Sequence, residues 1–118
     1  MFVKVLKSKL HRATVTQARL DYPGSLAMDS GLMEAAGIMP YESILMADLN
    51  NGSRLETYVV PAEAGSGDIV VLGAAAKLIK KGDLVIIMSF AYCTPEEAAA
   101  LKPRVIVFGQ QNRIIEQI

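Results

Sequence analysis

A chain of 118 residues and 12.7 kDa leaves roughly 6,000 Å² exposed of about 18,000 Å² unfolded, enough burial for a single domain, 1–118, with its own core. Twelve Lys+Arg balance twelve Asp+Glu for a formal net charge of zero, which excludes a whole-molecule field drawing in nucleic acid or an anionic membrane. The longest apolar stretch, Ile69 to Ala76, falls far short of the ~20 residues of a membrane span, Lys4 and Lys7 interrupt any secretory segment, and the lone Cys93 can close no internal disulfide. A cytoplasmic location is expected. With 52% hydrophobic residues and a mean hydropathy of +0.32, the chain carries more apolar material than so small a monomer readily hides, so self-association is expected.

In chain order, alternating Val-, Ile-, Thr- and Tyr-rich runs predict strands over Phe2–Leu6 and Arg12–Gln17. Tyr22-Pro23-Gly24-Ser25 follows as a turn, with proline presetting φ and glycine free to take a positive one. A helix over Ser30–Ala36 stops at Gly37, and a strand over Ser43–Asp48 leads through Asn50-Asn51-Gly52, a hairpin signal, into a strand over Arg54–Pro61. A strand over Asp68–Leu72 precedes a helix over Gly73–Lys80, then a strand over Leu84–Ala91. Thr94, Pro95 and Glu97 supply a capping box for a helix over Pro95–Lys102. Strands over Arg104–Phe108 and Arg113–Ile118 complete the chain. Many short strands, few short helices and no regular βαβ alternation predict a mainly β fold, a small closed barrel.

The Gly24–Ser25 bond carries the most specific chemistry. As a plain surface turn it needs no function. Yet a serine hydroxyl following glycine can attack that glycine's carbonyl with no β-carbon in the way, giving an ester in place of the amide. Elimination of the Ser25 oxygen and hydrolysis then leave a chain cut after Gly24 with a pyruvoyl group where Ser25 was. Lys9 and His11, two apart on a strand pattern, share one face. Arg54 can grip a carboxylate through two parallel hydrogen bonds. Gly73-Ala74-Ala75-Ala76 reads as a helix opening whose small side chains leave backbone N–H groups free for an anion. Each also has an ordinary reading: a solvated lysine, a half-buried histidine, an exposed turn arginine, a closely packed helix start. Cys93 has no nucleophile signature around it, so a Cys93–His11 hydrolase ranks far behind.

Several ordered blocks carry a resemblance. Lys9-Leu10-His11-Arg12 with Thr14-Val15-Thr16, Tyr22-x-Gly24-Ser25, Ala35-Ala36-Gly37-Ile38, Asn51-Gly52-x-Arg54 with Thr57-Tyr58, Gly65-Ser66, Gly73-Ala74-Ala75-Ala76 and Gly82-Asp83-Leu84-Val85-Ile86-Ile87 together resemble the aspartate 1-decarboxylases. These pyruvoyl enzymes make β-alanine for pantothenate biosynthesis. The resemblance implies a double-psi β-barrel with a few short helices, assembled as a homotetramer with active sites at subunit interfaces. It implies self-cleavage into a β chain, 1–24, and an α chain, 25–118. The pyruvoyl group from Ser25 is then the only cofactor, with no external cofactor and no metal; it condenses with the amine of L-aspartate and takes up the electrons released with CO2. The roles implied are Lys9 and Arg54 for substrate carboxylates, Tyr58 as proton donor, and Thr57 as donor to the oxyanion formed in processing. Tyr22 lies beside the scissile bond, Gly73, Ala74 and Ala75 line the substrate pocket, and His11 and Ile86 complete its surroundings. L-Aspartate is the expected small-molecule partner, with a maturation factor where processing is not spontaneous. The family usually carries asparagine immediately before Gly-Ala-Ala-Ala, and this chain has Leu72. A non-processing barrel that binds carboxylates or is structural is the alternative reading.

Overall fold

The computed structural model describes Met1–Ile118. Nine strands form in chain order: β1 Val3–Thr14, β2 Gln17–Arg19, β3 Ser25–Asp29, β4 Ser43–Asp48, β5 Arg54–Ala62, β6 Ile69–Leu72, β7 Leu84–Cys93, β8 Arg104–Phe108 and β9 Ile114–Gln117. Two short helices, α1 Ser30–Ala36 and α2 Pro95–Ala100, and two 3-10 turns, Gly73–Lys77 and Gln110–Asn112, connect them. The strands lie in the order β2-β6-β3-β5-β4-β7-β1-β8-β9. Val15 and Thr16 alone separate β1 from β2, and they stay bound to the wall, Val15 N–H donating to Asp83 O at 2.9 Å and Thr16 N–H to Ile69 O at 2.8 Å. One run of chain therefore forms both ends of the order from β2 to β1, and the sheet closes on itself. The fold is the mainly β barrel with few helices expected from the pattern of strands.

The differences from the sequence reading have local causes. Residues 7–11, between two predicted strands, belong to the single strand β1. Its register against β7 slips between Leu6 and Ser8 and again between His11 and Ala13. At the second slip Arg12 has φ of +66°, a bulge that moves the inward set from Ser8 and Leu10 to Ala13 and Val15. A strict period of two breaks at such a point although the strand continues. Strand β3, absent from the predicted elements, runs parallel to β5 and antiparallel to β6. Four of its five residues are buried, so it lacks the polar alternation of a half-exposed strand.

The barrel interior is one cluster that includes Leu10, Leu26, Met28, Ile44, Met46, Ile69, Ile87 and Ile106, all at most 1% exposed. Alternation delivers them: in β4 Ile44 and Met46 point inward, in β7 Val85 and Ile87. Helix α1 ends as its sequence predicts, on Gly37 at φ +71°. At the start of α1, Asp29 is 4% exposed and its Oδ1 accepts from Gly31 N–H at 2.8 Å and Gly65 N–H at 3.1 Å, while Oδ2 accepts from Gly67 N–H at 2.9 Å. Burial pushes this carboxyl up, but the N–H groups of Gly67, Gly65, Gly31 and Leu32 together hold it below its ordinary value of 3.8. A depressed carboxylate stabilises the fold above its ordinary range, and that stability is lost as pH falls through the folded value. Asp29→Asn is expected to lower stability at neutral pH by about 1–3 kcal/mol and to flatten the acid limb. Urea midpoints across the acidic range check this.

Candidate active site

Two backbone segments press together where β3 begins. Gly73 has φ of +79°, and a Cβ there would lie 2.6 Å from Gly24 Cα, 2.9 Å from Gly24 N and 3.0 Å from Tyr22 O. Only glycine lets the Tyr22–Ser25 turn seat on residue 73. The seat is held in register because Ser25 pairs with Leu72 across the β3–β6 ladder. Gly24 is exposed, whereas Ser25, the next residue, is 5% exposed. The serine is thus withdrawn from bulk water directly after a backbone unit that faces it. Tyr22 is exposed beside them, its hydroxyl accepting from Arg19 Nη1 at 3.0 Å while the guanidinium lies 5.3 Å from the ring centre.

A groove of about 470 Å³ opens beside this turn, with Gly24, Leu72, Ala74 and Ala75 on one wall and Leu55, Thr57 and Tyr58 on the other. Thr57 pairs with Ile44 and Tyr58 with Ser43, so their side chains leave β5 on opposite faces. They still reach one opening. Strand β3 joins β5 only from Val59 onward, and over Arg54–Tyr58 the edge of β5 away from β4 faces the groove. The two side chains flank that free edge.

The predicted helix over Gly73–Lys80 is a five-residue 3-10 turn, Gly73–Lys77. Leu78 N–H and Ile79 N–H both donate to Ala75 O, and Lys80 N–H is taken by Asp83 Oδ2 at 3.0 Å. A reverse turn has already begun where the helix would continue. Its first turn supplies a floor of methyl groups, with Gly73 itself buried behind it against Gly24.

The family model described as aspartate decarboxylase matches residues 1–115. The chain belongs to this family. It is 51% identical over 115 residues to the aspartate 1-decarboxylase of Acetivibrio thermocellus, covering 98% of this chain and 91% of that protein. It is 48% identical over 118 residues to the aspartate 1-decarboxylase of Lactiplantibacillus plantarum, covering 100% and 91%. It is 50% identical over 115 residues to that of Corynebacterium efficiens, covering 98% and 85%.

In this member of the aspartate decarboxylase family the residues singled out by sequence fall into two groups. Tyr22, Gly24, Ser25, Thr57, Tyr58, Gly73, Ala74 and Ala75 gather at the groove. Lys9, His11 and Ile86 do not. Lys9 pairs with Met88 and His11 with Ile86, so this group lies on β1 and β7, and β1 is three strands from β5. At a strand spacing of about 4.8 Å that is roughly 14 Å, beyond the reach of a lysine side chain. Arg54 joins the groups by register, since Arg54, Ala47, Ile86 and His11 stand opposite one another in a row across β5, β4, β7 and β1. The row is on the outer face, because the alternate residues Met46, Ile87 and Leu10 fill the core. His11 Nδ1 on this face is buried and has no hydrogen-bond partner within the chain. The sequence reading missed Leu55, Glu56 and Leu78 as groove residues. Leu55 was legible as the residue two before Thr57 on the same face, and Leu78 as lying four after Ala74.

Proposed function

We propose that the chain cuts itself between Gly24 and Ser25 and then decarboxylates L-aspartate to β-alanine at the groove beside that bond. The cradle at Gly73 carries the reading, since a single β-carbon there would exclude the Tyr22–Ser25 turn. In the maturation step Ser25 Oγ bonds to the Gly24 carbonyl carbon and the Gly24–Ser25 C–N bond breaks, giving an ester and a free amine. Loss of the Ser25 α-proton expels the Gly24 carboxylate, and water replaces the amine as ammonia, leaving a ketone. Thr57, on the groove wall, is the hydroxyl available to steady the oxyanion of the first step. Leu72 has no polar group to add.

The residues present fit a pyruvoyl group: Ser25 is buried, the Gly24 peptide beside it is open to the groove, and the floor is of small apolar side chains. Once formed, that group supplies an electron sink for decarboxylation. The chain's own side chains do the rest. Arg54 binds a substrate carboxylate in its planar fork, and Lys9 adds a second cation. Tyr58 delivers the proton that replaces the lost carboxylate. The methyl-lined floor limits water at the reacting carbon.

Lys9 and His11 act in this scheme from a neighbouring copy, with a homotetramer as the working assembly. The unpartnered His11 nitrogen and the half-buried apolar residues Leu45, Ile86 and Met88 on the outer face support a covered surface. Intact mass spectrometry tests the whole reading. Wild type is expected as pieces of 24 and 94 residues, the larger lacking the serine amine, and Ser25→Ala as one intact chain that releases no CO2 from aspartate. An intact wild-type chain after long incubation leaves the non-processing, carboxylate-binding barrel instead, the reading that the apolar Leu72 opposite Ser25 favours.

A further inference from the structure

The loop that leads into β4 holds a tyrosine in a backbone that tyrosine avoids. Tyr41 has φ of +69°, a conformation in which a β-carbon crowds the neighbouring carbonyl and which glycine or asparagine takes at less cost. The cause is a bulge at the entry to β4. Ser43 stands opposite Tyr58 in the β4–β5 ladder, but beyond that pair two residues face one: Tyr41 N–H donates to Val59 O at 2.7 Å, while Val59 N–H donates to Glu42 O at 3.1 Å. In a bulge with this left-handed first position, glycine is the residue that ordinarily fills it.

The bulge is held by groups other than the tyrosine ring. Glu42 Oε1 accepts from Met39 N–H at 3.1 Å and its Oε2 from Lys7 Nζ at 2.6 Å, and Lys7 Nζ also donates to Gly37 O at 2.9 Å. Asn112, another non-glycine residue with positive φ, offsets its backbone with three side-chain hydrogen bonds to Thr14 and Gly67. Tyr41 is 75% exposed, and what its ring meets is the ring of Tyr58, with centres 6.4 Å apart and planes at 38°. That separation lies within the range of an attractive aromatic pair. A strained, exposed residue whose ring touches a groove residue points to a constraint of function rather than of core packing.

We propose that Tyr41 is a positioning residue for the decarboxylation: the bulge sets its ring behind that of Tyr58 and keeps the Tyr58 phenol over the groove. Tyr41 meets β5 from the β4 side, and the groove lies along the opposite edge, so its ring closes the side to which Tyr58 could turn away. Tyr58 needs such support, because it is itself 41% exposed and a proton donor serves only within hydrogen-bond reach of the atom it protonates. Spread over three staggered positions about χ1, an unsupported Tyr58 fills the productive one about a third of the time. The carboxylate grip of Arg54 and Lys9 is untouched by that loss.

This role rests on the proposed decarboxylation, and two measurements keep the ideas apart. The first is kcat and KM for L-aspartate in wild type, Tyr41→Asn and Tyr41→Phe. Asparagine accepts the left-handed backbone and removes the ring, with Tyr41→Gly in its place if that chain does not fold; phenylalanine keeps the ring. Tyr41→Asn is expected to lower kcat about threefold with KM unchanged, and Tyr41→Phe to keep the wild-type kcat. The second is χ1 of Tyr58, read from coupling constants in protein isotopically labelled at tyrosine alone, its signal being the one of four that Tyr58→Phe removes. It is expected to hold one position in wild type and Tyr41→Phe and to average in Tyr41→Asn. A Tyr58 that stays fixed without the Tyr41 ring, or a kcat that does not fall, would overturn the proposal. If wild type releases no CO2, the decarboxylase reading fails, and χ1 alone upholds or overturns the support of one ring by the other.

Discussion

Replacing Gly73 with alanine is expected to stop the proposed self-cleavage and to lower stability by roughly 2–5 kcal/mol, from a strained backbone together with overpacking. The positive φ of +79° is one part of the cost, and contact is the larger part. The new β-carbon meets the backbone of Gly24 at 2.6 and 2.9 Å and Tyr22 O at 3.0 Å, and backbone atoms cannot swing aside as the end of a side chain can. To make room the Tyr22–Ser25 turn must lift, which takes the Gly24 carbonyl, the site of the proposed cut, off its seat. Gly82→Ala separates strain from contact, because Gly82 has φ of +90° with nothing within 4 Å of its β position. It is expected to cost about 1–2 kcal/mol and to leave cleavage intact. Urea midpoints with intact masses for both variants decide the matter. A Gly73→Ala protein that is cut at the wild-type rate would remove the cradle from the maturation step.

Chains that each lack one half of the site are expected to restore one another. Lys9→Ala and Ser25→Ala chains, inactive alone, are produced together in one cell so that they assemble as they fold, and the mixed assemblies are assayed for CO2 release. If a groove draws Lys9 from a neighbouring copy, random assembly of equal amounts leaves roughly a quarter of the interfaces with both halves intact. Activity then rises from background to about that fraction of wild type. The roughly 14 Å across the sheet between β1 and β5 motivates the test. A mixture no more active than its components would mean that each chain uses its own lysine, or that Lys9 has no part in the site.

Much of this was legible in the sequence, and the losses have identifiable causes. Ser43–Asp48, the Asn50-Asn51-Gly52 turn, the capping box at Thr94 and the stop at Gly37 are local features whose causes lie within a few residues, and each forms where its sequence predicts. Strand β1 reads as two strands because its alternation changes phase where its register against β7 slips, with Arg12 in a left-handed backbone at the second slip, a demand set by how β1 meets β7. The segment after Gly73 was read too long because Asp83, several residues on, captures the Lys80 N–H. The candidate site shows the same division. Gly24, Ser25, Thr57 and Tyr58 come from neighbouring elements and meet, while Lys9 carries no local mark of standing on a different wall.

The position of β1 between β7 and β8 has a consequence for the cut molecule. The shorter product would contain β1 and β2, an inner stave of the barrel and the strand that closes it, so breaking one bond frees nothing while the ladders hold. Once the mature form opened, however, its two pieces would have to find each other by diffusion, and the smaller has too few apolar residues to fold by itself. Precursor folding would be a one-chain event and recovery of the processed form a two-body encounter. Maturation would trade reversibility for chemistry, and the working lifetime would then depend on how slowly the barrel opens.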